Sequence, residues 1–303
     1  MIFLVAFLLQ ADLPNTALDS IVSDKIFAHI SELSSDAYQG RDAGSAGADK
    51  AADYLEGKLK EWKLAPAGTR NLYFQAFSAE GKTMKNVIAV VPGSHAALKN
   101  EFVLVGAHYD HIGVTPGGED KINNGADDNA SGTAVILEIA RAFAELKTKP
   151  ARSVVFGWWT AEEKGLVGSK FFVANPTVNL RTVVACLNLD MVGRNAEDEI
   201  DIEGTGCSPD LRALFERVNS RKIFSKINFG VKEVKEDTDH YPFYKAGIPA
   251  VEFFSGYHAD YHKPGDEAQK ITMPKLERVG RFVALAAWEL ANSKTRPRYQ
   301  KVK

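Results

Sequence analysis

The apolar positions of the chain recur with two different periods. Between residues 19 and 64 the period is helical, since Ala52, Leu55, Leu59 and Trp62 lie three or four positions apart and share one face. Further along, short runs rich in β-branched and aromatic residues alternate with longer amphipathic segments. This alternation is typical of a mostly parallel sheet covered by helices on both faces. We therefore expect an α/β fold with three layers and a mostly parallel mixed sheet.

The same patterns locate the individual elements. The predicted strands are residues 72–77, 86–91, 102–107, 153–159, 183–189 and 250–254, and the predicted later helices are 130–146, 208–219 and 274–290. Ser208 followed by Pro209 is a favourable helix start, with a capping hydroxyl before a proline at the first helical position. No internal repeat or low-complexity linker interrupts the pattern. We expect one domain over residues 12–303.

Acidic and imidazole side chains follow the predicted strands, at the point where each strand ends. In chain order they are His108, Asp110, Glu162, Glu163, Asp190 and His262, and a further loop at 125–129 adds Asp127 and Asp128 before a helix. In an open, largely parallel sheet, functional groups collect beyond the carboxyl ends of the strands. The sequence therefore predicts that these side chains converge.

Most of these residues have an ordinary explanation when taken alone. His108 could be structural, Asp127 or Asp128 could cap the following helix, and the Glu162–Glu163 pair could be solvated. Asp190 is harder to dismiss, because a charge among apolar neighbours requires a partner or a metal. Histidine and carboxylate ligands without cysteine are typical of catalytic zinc, and their number exceeds the needs of one tetrahedral ion. A pair of zinc ions sharing one carboxylate is the hypothesis that fits.

Composition narrows the function classes. The 303 residues are 45% hydrophobic and carry 37 basic against 39 acidic side chains, which excludes a disordered chain and gives no reason to expect nucleic acid. No apolar run reaches the roughly 20 residues that a membrane span needs. Residues 1–11 are mostly apolar and end in a small residue, which predicts a cleaved signal peptide and a periplasmic or extracellular protein. This segment lacks a basic start, so a buried strand or a wrongly placed start, and a cytoplasmic protein, remain the alternatives. We expect Cys186 and Cys207 to be unpaired.

Five stretches carry a family resemblance. They are residues 107–110 (AHYD), 125–132 (GADDNASG), 160–169 (TAEEKGLVGS), 188–193 (NLDMVG) and 261–266 (YHKPGD). In this order they resemble the motifs of the M28 peptidases, the zinc aminopeptidases of the co-catalytic metallopeptidase group. The resemblance covers residues 25 to 290. It implies the zinc-peptidase (phosphorylase/hydrolase-like) fold. The short connection between residues 77 and 108 leaves no room for the protease-associated domain of larger relatives.

The resemblance also implies roles for single side chains. Two zinc ions would be held by five ligands, the bridging one first: Asp128, His108, Asp190, Glu163 and His262. Glu162 would be the general base and Asp110 would orient His108. Tyr261 occupies a place where some members keep a tyrosine that stabilises the oxyanion. The peptide bond between Asp128 and Asn129 is cis in relatives.

The implied activity is hydrolysis of the first peptide bond of peptides with a free amino end. Three alternatives stay open at this point. A glutaminyl cyclase relative works with one zinc and is expected to depart from the Asp128–Asn129 pair, which this chain keeps. A carboxypeptidase or dipeptidase would share the fold. A non-enzymatic relative would have lost ligands, whereas every ligand position is filled here. The oligomeric state is left open, with a monomer favoured.

Overall fold

The computed structural model describes residues 12–230 and 233–302, so the predicted signal peptide lies outside the described residues. The helices are α1 Asn15–Ser20, α2 Ser23–Leu33, α3 Ala46–Glu61, α4 Gly132–Ala144, α5 Val167–Ala174, α6 Pro209–Val218, α7 His240–Lys245 and α8 Met273–Asn292. The strands are β1 Ala65–Pro66, β2 Phe74–Ala79, β3 Lys82–Val91, β4 Phe102–His108, β5 Ser153–Trp159, β6 Val183–Leu189, β7 Glu199–Glu203, β8 Lys226–Asn228 and β9 Ala250–Phe254.

The nine strands form one mixed sheet within the described part of the chain. Their order is β1-β3-β5-β4-β6-β9-β7-β8, and β2 pairs with β3 outside this path. The four central strands, β5, β4, β6 and β9, are parallel to one another. Antiparallel pairing begins at β3 on one side and at β7 on the other. The carboxyl ends of the central strands therefore meet at one edge, as the sequence predicts.

Helices cover both faces of the sheet, which confirms the predicted three layers. Along β4, Val103 and Val105 pack in the larger core beneath α2, α3, α4, α6 and α8. Leu104, which points the opposite way, packs in a second core with Phe172 of α5 and Phe243 of α7. Successive side chains of a strand leave opposite faces, so a strand buried on both sides must be apolar throughout. The continuous apolar run of β4 has this cause.

The longest apolar runs are the elements that the sequence locates best. Three predicted strands, Ser153–Trp159, Val183–Leu189 and Ala250–Phe254, have the bounds that the pattern predicts. The Ser208 hydroxyl caps α6 by accepting from the Leu211 N–H at 3.4 Å. Cys186 and Cys207 are free and buried, as expected. Across residues 12–230 and 233–302, no helix is long and apolar enough to cross a membrane.

Candidate metal centre

The end of β4 is held so that His108 faces the carboxyl edge of the sheet. The Thr133 hydroxyl donates to the His108 carbonyl at 2.7 Å, which ties β4 to the first turn of α4. The His108 ring places Nδ1 at 3.1 Å from the Asp110 carbonyl oxygen and 3.8 Å from the Asp110 carboxylate. With Nδ1 held on this side, Nε2 points to the other carboxylates.

A second segment brings Asp128 to the same place. The buried carboxylate of Asp266 accepts hydrogen bonds from the backbone N–H of Asp127 and of Asp128, each at 3.0 Å. The next peptide bond, between Asp128 and Asn129, is cis, as the family resemblance implies. The Asn129 amide then donates to the Leu189 carbonyl of β6 at 2.9 Å. These contacts fix the Asp128 carboxylate between the ends of β4 and β6.

Two groups of metal-ligating atoms share the Asp128 carboxylate. The first group is His108, Asp128 and Asp190, in which the His108 Nε2 lies 3.2 Å from an Asp190 oxygen and 3.4 Å from Asp128 Oδ1. The second contains Asp128, Glu163 and His262, in which the His262 Nε2 lies 3.1 Å from both Asp128 Oδ2 and Glu163 Oε2. The two oxygens of Asp128 thus face different groups. The five predicted ligands come together, in the predicted pairs.

His111 joins the second group, and the sequence analysis did not name it. Its ring is fully buried, and Nδ1 lies 2.8 Å from Glu163 Oε1 and 3.6 Å from Asp128 Oδ2. Its Nε2 has no hydrogen-bond partner among the described residues. The available signal was its position three residues after His108. A single histidine at that spacing is weak as a sequence signal.

The electrostatics of the site fit a doubly charged cation. Burial raises the pKa of Asp190 to about 6, although the nearby His108 opposes this shift. Hydrogen bonds to Asp128 and Glu163 raise the pKa of His262 to about 10. Burial also tends to raise the pKa of Glu163, but bonds from His111 and His262 lower it well below its ordinary range. Zinc prefers His and Asp/Glu ligands, and its two positive charges would balance the carboxylates of this site.

Glu162 lies beside the centre but belongs to neither group. Its Oε2 is 4.0 Å from the His108 Nε2, and its backbone N–H donates to the Asp110 carboxylate at 3.2 Å. Burial raises its pKa well above the ordinary value. The preceding Ala161 has a positive φ of 55°. Both glutamates border the adjoining cavity, but Glu163 belongs to a ligand group and Glu162 does not.

Tyr261 borders the same cavity, which has a volume of about 120 Å³. Its ring stacks on His262 with centroids 3.9 Å apart, and the Tyr257 ring meets it edge-on at 4.9 Å. Burial raises the pKa of the Tyr261 phenol, so the phenol keeps its proton at neutral pH. It can therefore donate a hydrogen bond into the cavity.

A family model for peptidase family M28 matches residues 86–287. The chain belongs to peptidase family M28. The leupeptin-inactivating enzyme 1 of Streptomyces exfoliatus is 35% identical over 250 residues, which are 80% of this chain and 51% of that protein. Aminopeptidase YwaD of Bacillus subtilis is 30% identical over 238 residues, 75% of this chain and 49% of that protein. The chain spans about half the length of these curated relatives.

The fold also matches solved structures. The zinc aminopeptidase BSAP from Bacillus subtilis superposes with a TM-score of 0.74 at 19% identity, covering 91% of this chain and 97% of that one. At this identity the likeness establishes the fold. Together with the sheet order, it confirms the predicted zinc-peptidase architecture.

Proposed function

We propose that the chain is an aminopeptidase that binds two zinc ions and removes the first residue of peptides. The observation that carries the proposal is the Asp128 carboxylate, whose two oxygens face two separate groups of ligand atoms beside one cavity. A carboxylate shared in this way is what a pair of ions about 3.5–4 Å apart requires. The family and its named aminopeptidases support the activity.

In this proposal each ion has two ligands of its own besides the shared Asp128. His108 and Asp190 complete one site, and Glu163 and His262 complete the other. His111 orients Glu163. The His111 Nδ1 lies 2.8 Å from Glu163 Oε1, so the other oxygen, Oε2, is directed to His262. Hydrogen bonds of this kind fix the direction of a ligating carboxylate. Asp110 has the corresponding position behind His108.

The reaction then needs a general base, a general acid and a hydrogen-bond donor to the oxyanion. Zinc ions bound here would lower the pKa of water and would attract the developing negative charge. Glu162, unused as a ligand and directed at the cavity, takes the proton from the attacking water and passes it to the departing amine. The protonated Tyr261 phenol donates a hydrogen bond to the oxyanion.

Charge in the cavity favours the amino end of a peptide. Zinc would offset the negative charges of the proposed ligands Asp128, Glu163 and Asp190, but the cavity is also bordered by the carboxyl groups of Glu162, Glu203, Asp237 and Glu252. Besides the proposed ligand His262, the basic side chain on its border is Lys235, which is exposed. A terminal ammonium is attracted to this surface and a terminal carboxylate is repelled. The same argument makes a carboxypeptidase the weaker hypothesis.

Hydrolysis of leucine p-nitroanilide, with its N-acetylated form as control, tests the activity. We expect release from the free substrate alone. Equal rates on the blocked substrate would contradict an aminopeptidase, and no release from any free aminoacyl substrate would refute the proposal.

Two matched variants test the roles of the neighbouring glutamates. Glu162→Gln should keep two zinc ions by elemental analysis while kcat falls by about 10²–10⁴, the loss typical of a missing general base. Glu163→Gln removes a charged ligand and should lose zinc as well as activity. The opposite pattern would reverse the two assignments.

The remaining expectations belong to the same proposal. The chain acts outside the cytoplasm after loss of residues 1–11, and residues 12–303 form one peptidase domain without a protease-associated insertion. Its partners are peptides with a free amino end, and a monomer is the favoured state. Size-exclusion chromatography with light scattering checks the last point.

A further inference from the structure

The cavity beside the metal centre extends to a second set of charged side chains. Beyond the groups already described it is bordered by Glu203, Glu252, Asp237 and Lys235, and its apolar wall includes Phe254. The side chain of a substrate's first residue must enter space next to the reacting bond. This end of the cavity is therefore the place that can distinguish one side chain from another.

Glu203 and Glu252 stand directly opposite each other in the sheet. They are Cα partners in the antiparallel pair of β7 and β9, so their side chains leave the same face. Like charges in directly opposed positions destabilise a sheet. Glu252 is also buried, with 5% of its surface exposed. Burial and the neighbouring acidic groups raise the pKa of Glu252 well above its ordinary value, and a cation entering the cavity would favour its charged form.

Within the described part of the chain no basic side chain neutralises either glutamate through an ion pair, although the exposed Lys235 opposes the rise that burial causes in the pKa of Glu203. The nearest basic atom to the Glu252 carboxylate is the His240 Nδ1 at 3.9 Å, and burial lowers the pKa of His240 to about 3. His240 is therefore neutral, and the Thr238 hydroxyl is the polar group that hydrogen-bonds to Glu252. Lys235 is exposed and forms no ion pair within 4.0 Å with either glutamate. The Glu252 carboxylate thus faces the cavity without a charged partner.

We propose that this pocket selects peptides whose first residue has a cationic side chain, lysine or arginine. The inference rests on the proposed aminopeptidase function and names its substrate class. A cation between Glu203 and Glu252 offsets both the burial of one carboxylate and the repulsion between the two. Phe254 and the exposed Tyr257 offer apolar surface to the aliphatic stem of such a side chain.

The test is a panel of p-nitroanilides of lysine, arginine, norleucine, leucine and glutamate. Norleucine has the stem of lysine without its charge. We expect kcat/KM for lysine and arginine to exceed that for norleucine by at least about tenfold, since a hydrogen-bonded charge pair contributes about that much discrimination. A pocket neutralised by Lys235 would instead favour leucine or norleucine.

Single variants connect the preference to the two carboxylates. Glu252→Gln and Glu203→Gln should each lower the lysine-to-norleucine ratio by at least about fivefold, because each removes one of the two carboxylates that would pair with the cation. Glu199→Gln is the matched control, because Glu199 lies on the same strand outside the cavity and pairs with Lys226 at 2.8 Å. It should leave the ratio unchanged. If Glu252→Gln does not fold, the ratio measured for Glu203→Gln tests the inference, because Glu203 is only half-buried.

The outcomes separate this inference from the proposed function. Hydrolysis of leucine and norleucine at rates equal to or above lysine overturns the inference and leaves the aminopeptidase intact. A lysine preference that both variants retain overturns the assignment to these carboxylates. No hydrolysis of any free aminoacyl substrate refutes the function itself.

Discussion

Arg41 ties together the two segments that carry His108 and Asp128, and its replacement should weaken both the fold and the metal centre. The guanidinium is 1% exposed and donates to four backbone carbonyls, those of Leu33, Tyr109, Asn124 and Gly125, at 2.7–2.9 Å. Burial lowers its pKa to about 10, so it remains charged at neutral pH. Tyr109 follows His108 directly, and Gly125 begins the loop that presents Asp128.

The four carbonyl groups that accept hydrogen bonds from Arg41 set the size of the expected loss of stability. Arg41→Met fills similar space without a donor, and hydrogen bonds to a charged group contribute about 1.5–3 kcal/mol each. The four bonds set an upper bound of about 6–12 kcal/mol, and water and local relaxation recover part of it. We expect the free energy of unfolding to fall by at least about 3 kcal/mol, the lower end for a broken buried charge network. Arg41→Lys keeps the charge but not the fork of donors, so its loss should lie between wild type and Met.

Urea unfolding in the presence of a chelator measures the change in unfolding free energy without any contribution from bound metal. Arg212→Met is the matched control, because Arg212 is exposed on α6 and its ion pair with Glu216 should matter by no more than about 0.5 kcal/mol. In zinc titrations Arg41→Met should also bind more weakly. An unfolding free energy within about 1 kcal/mol of wild type would contradict the role assigned to Arg41, since marginal stability makes a larger loss easily visible.

Three further predictions follow from the site and the sequence. Asp128→Ala should reduce both zinc sites in elemental analysis, whereas His108→Ala should mainly empty one, because Asp128 belongs to both groups and His108 to one; two full zincs in the Asp128 variant would contradict the bridge. Chelation should lower Tm and added zinc should restore the original Tm, because a ligand that binds the native state stabilises that state. A Tm that is unchanged by both treatments would argue against a metal at this centre. In its native host the mature chain should begin near Asp12 outside the cytoplasm, as N-terminal sequencing would show; an intact Met1 on cytoplasmic protein would contradict export.

The sequence predicts the central elements well because burial on both faces leaves a clear pattern. A strand covered on both sides must be apolar throughout, so Ser153–Trp159, Val183–Leu189 and Ala250–Phe254 stand out with correct bounds. The strand β7, Glu199–Glu203, was missed. It has five residues, and Ile200 and Ile202 alternate with three acidic side chains, which also fits a solvated loop.

The residues of the candidate site could also be predicted only in part. Side chains that follow directly after strong strands, such as His108 and Asp190, could be located from sequence because the strand end places them. Asp266 could not be given its role, since its two backbone donors lie more than 130 positions away and only the fold brings them near. The opposed pair of Glu203 and Glu252 depends on the register of a strand that the pattern did not predict.

Anomalous diffraction at the zinc edge, from crystals grown with zinc, shows directly whether Asp128 lies between two zinc ions. We expect two peaks about 3.5–4 Å apart on either side of the Asp128 carboxylate, one beside His108 and Asp190 and the other beside Glu163 and His262. A single peak, or two peaks that do not share Asp128, would contradict this expectation.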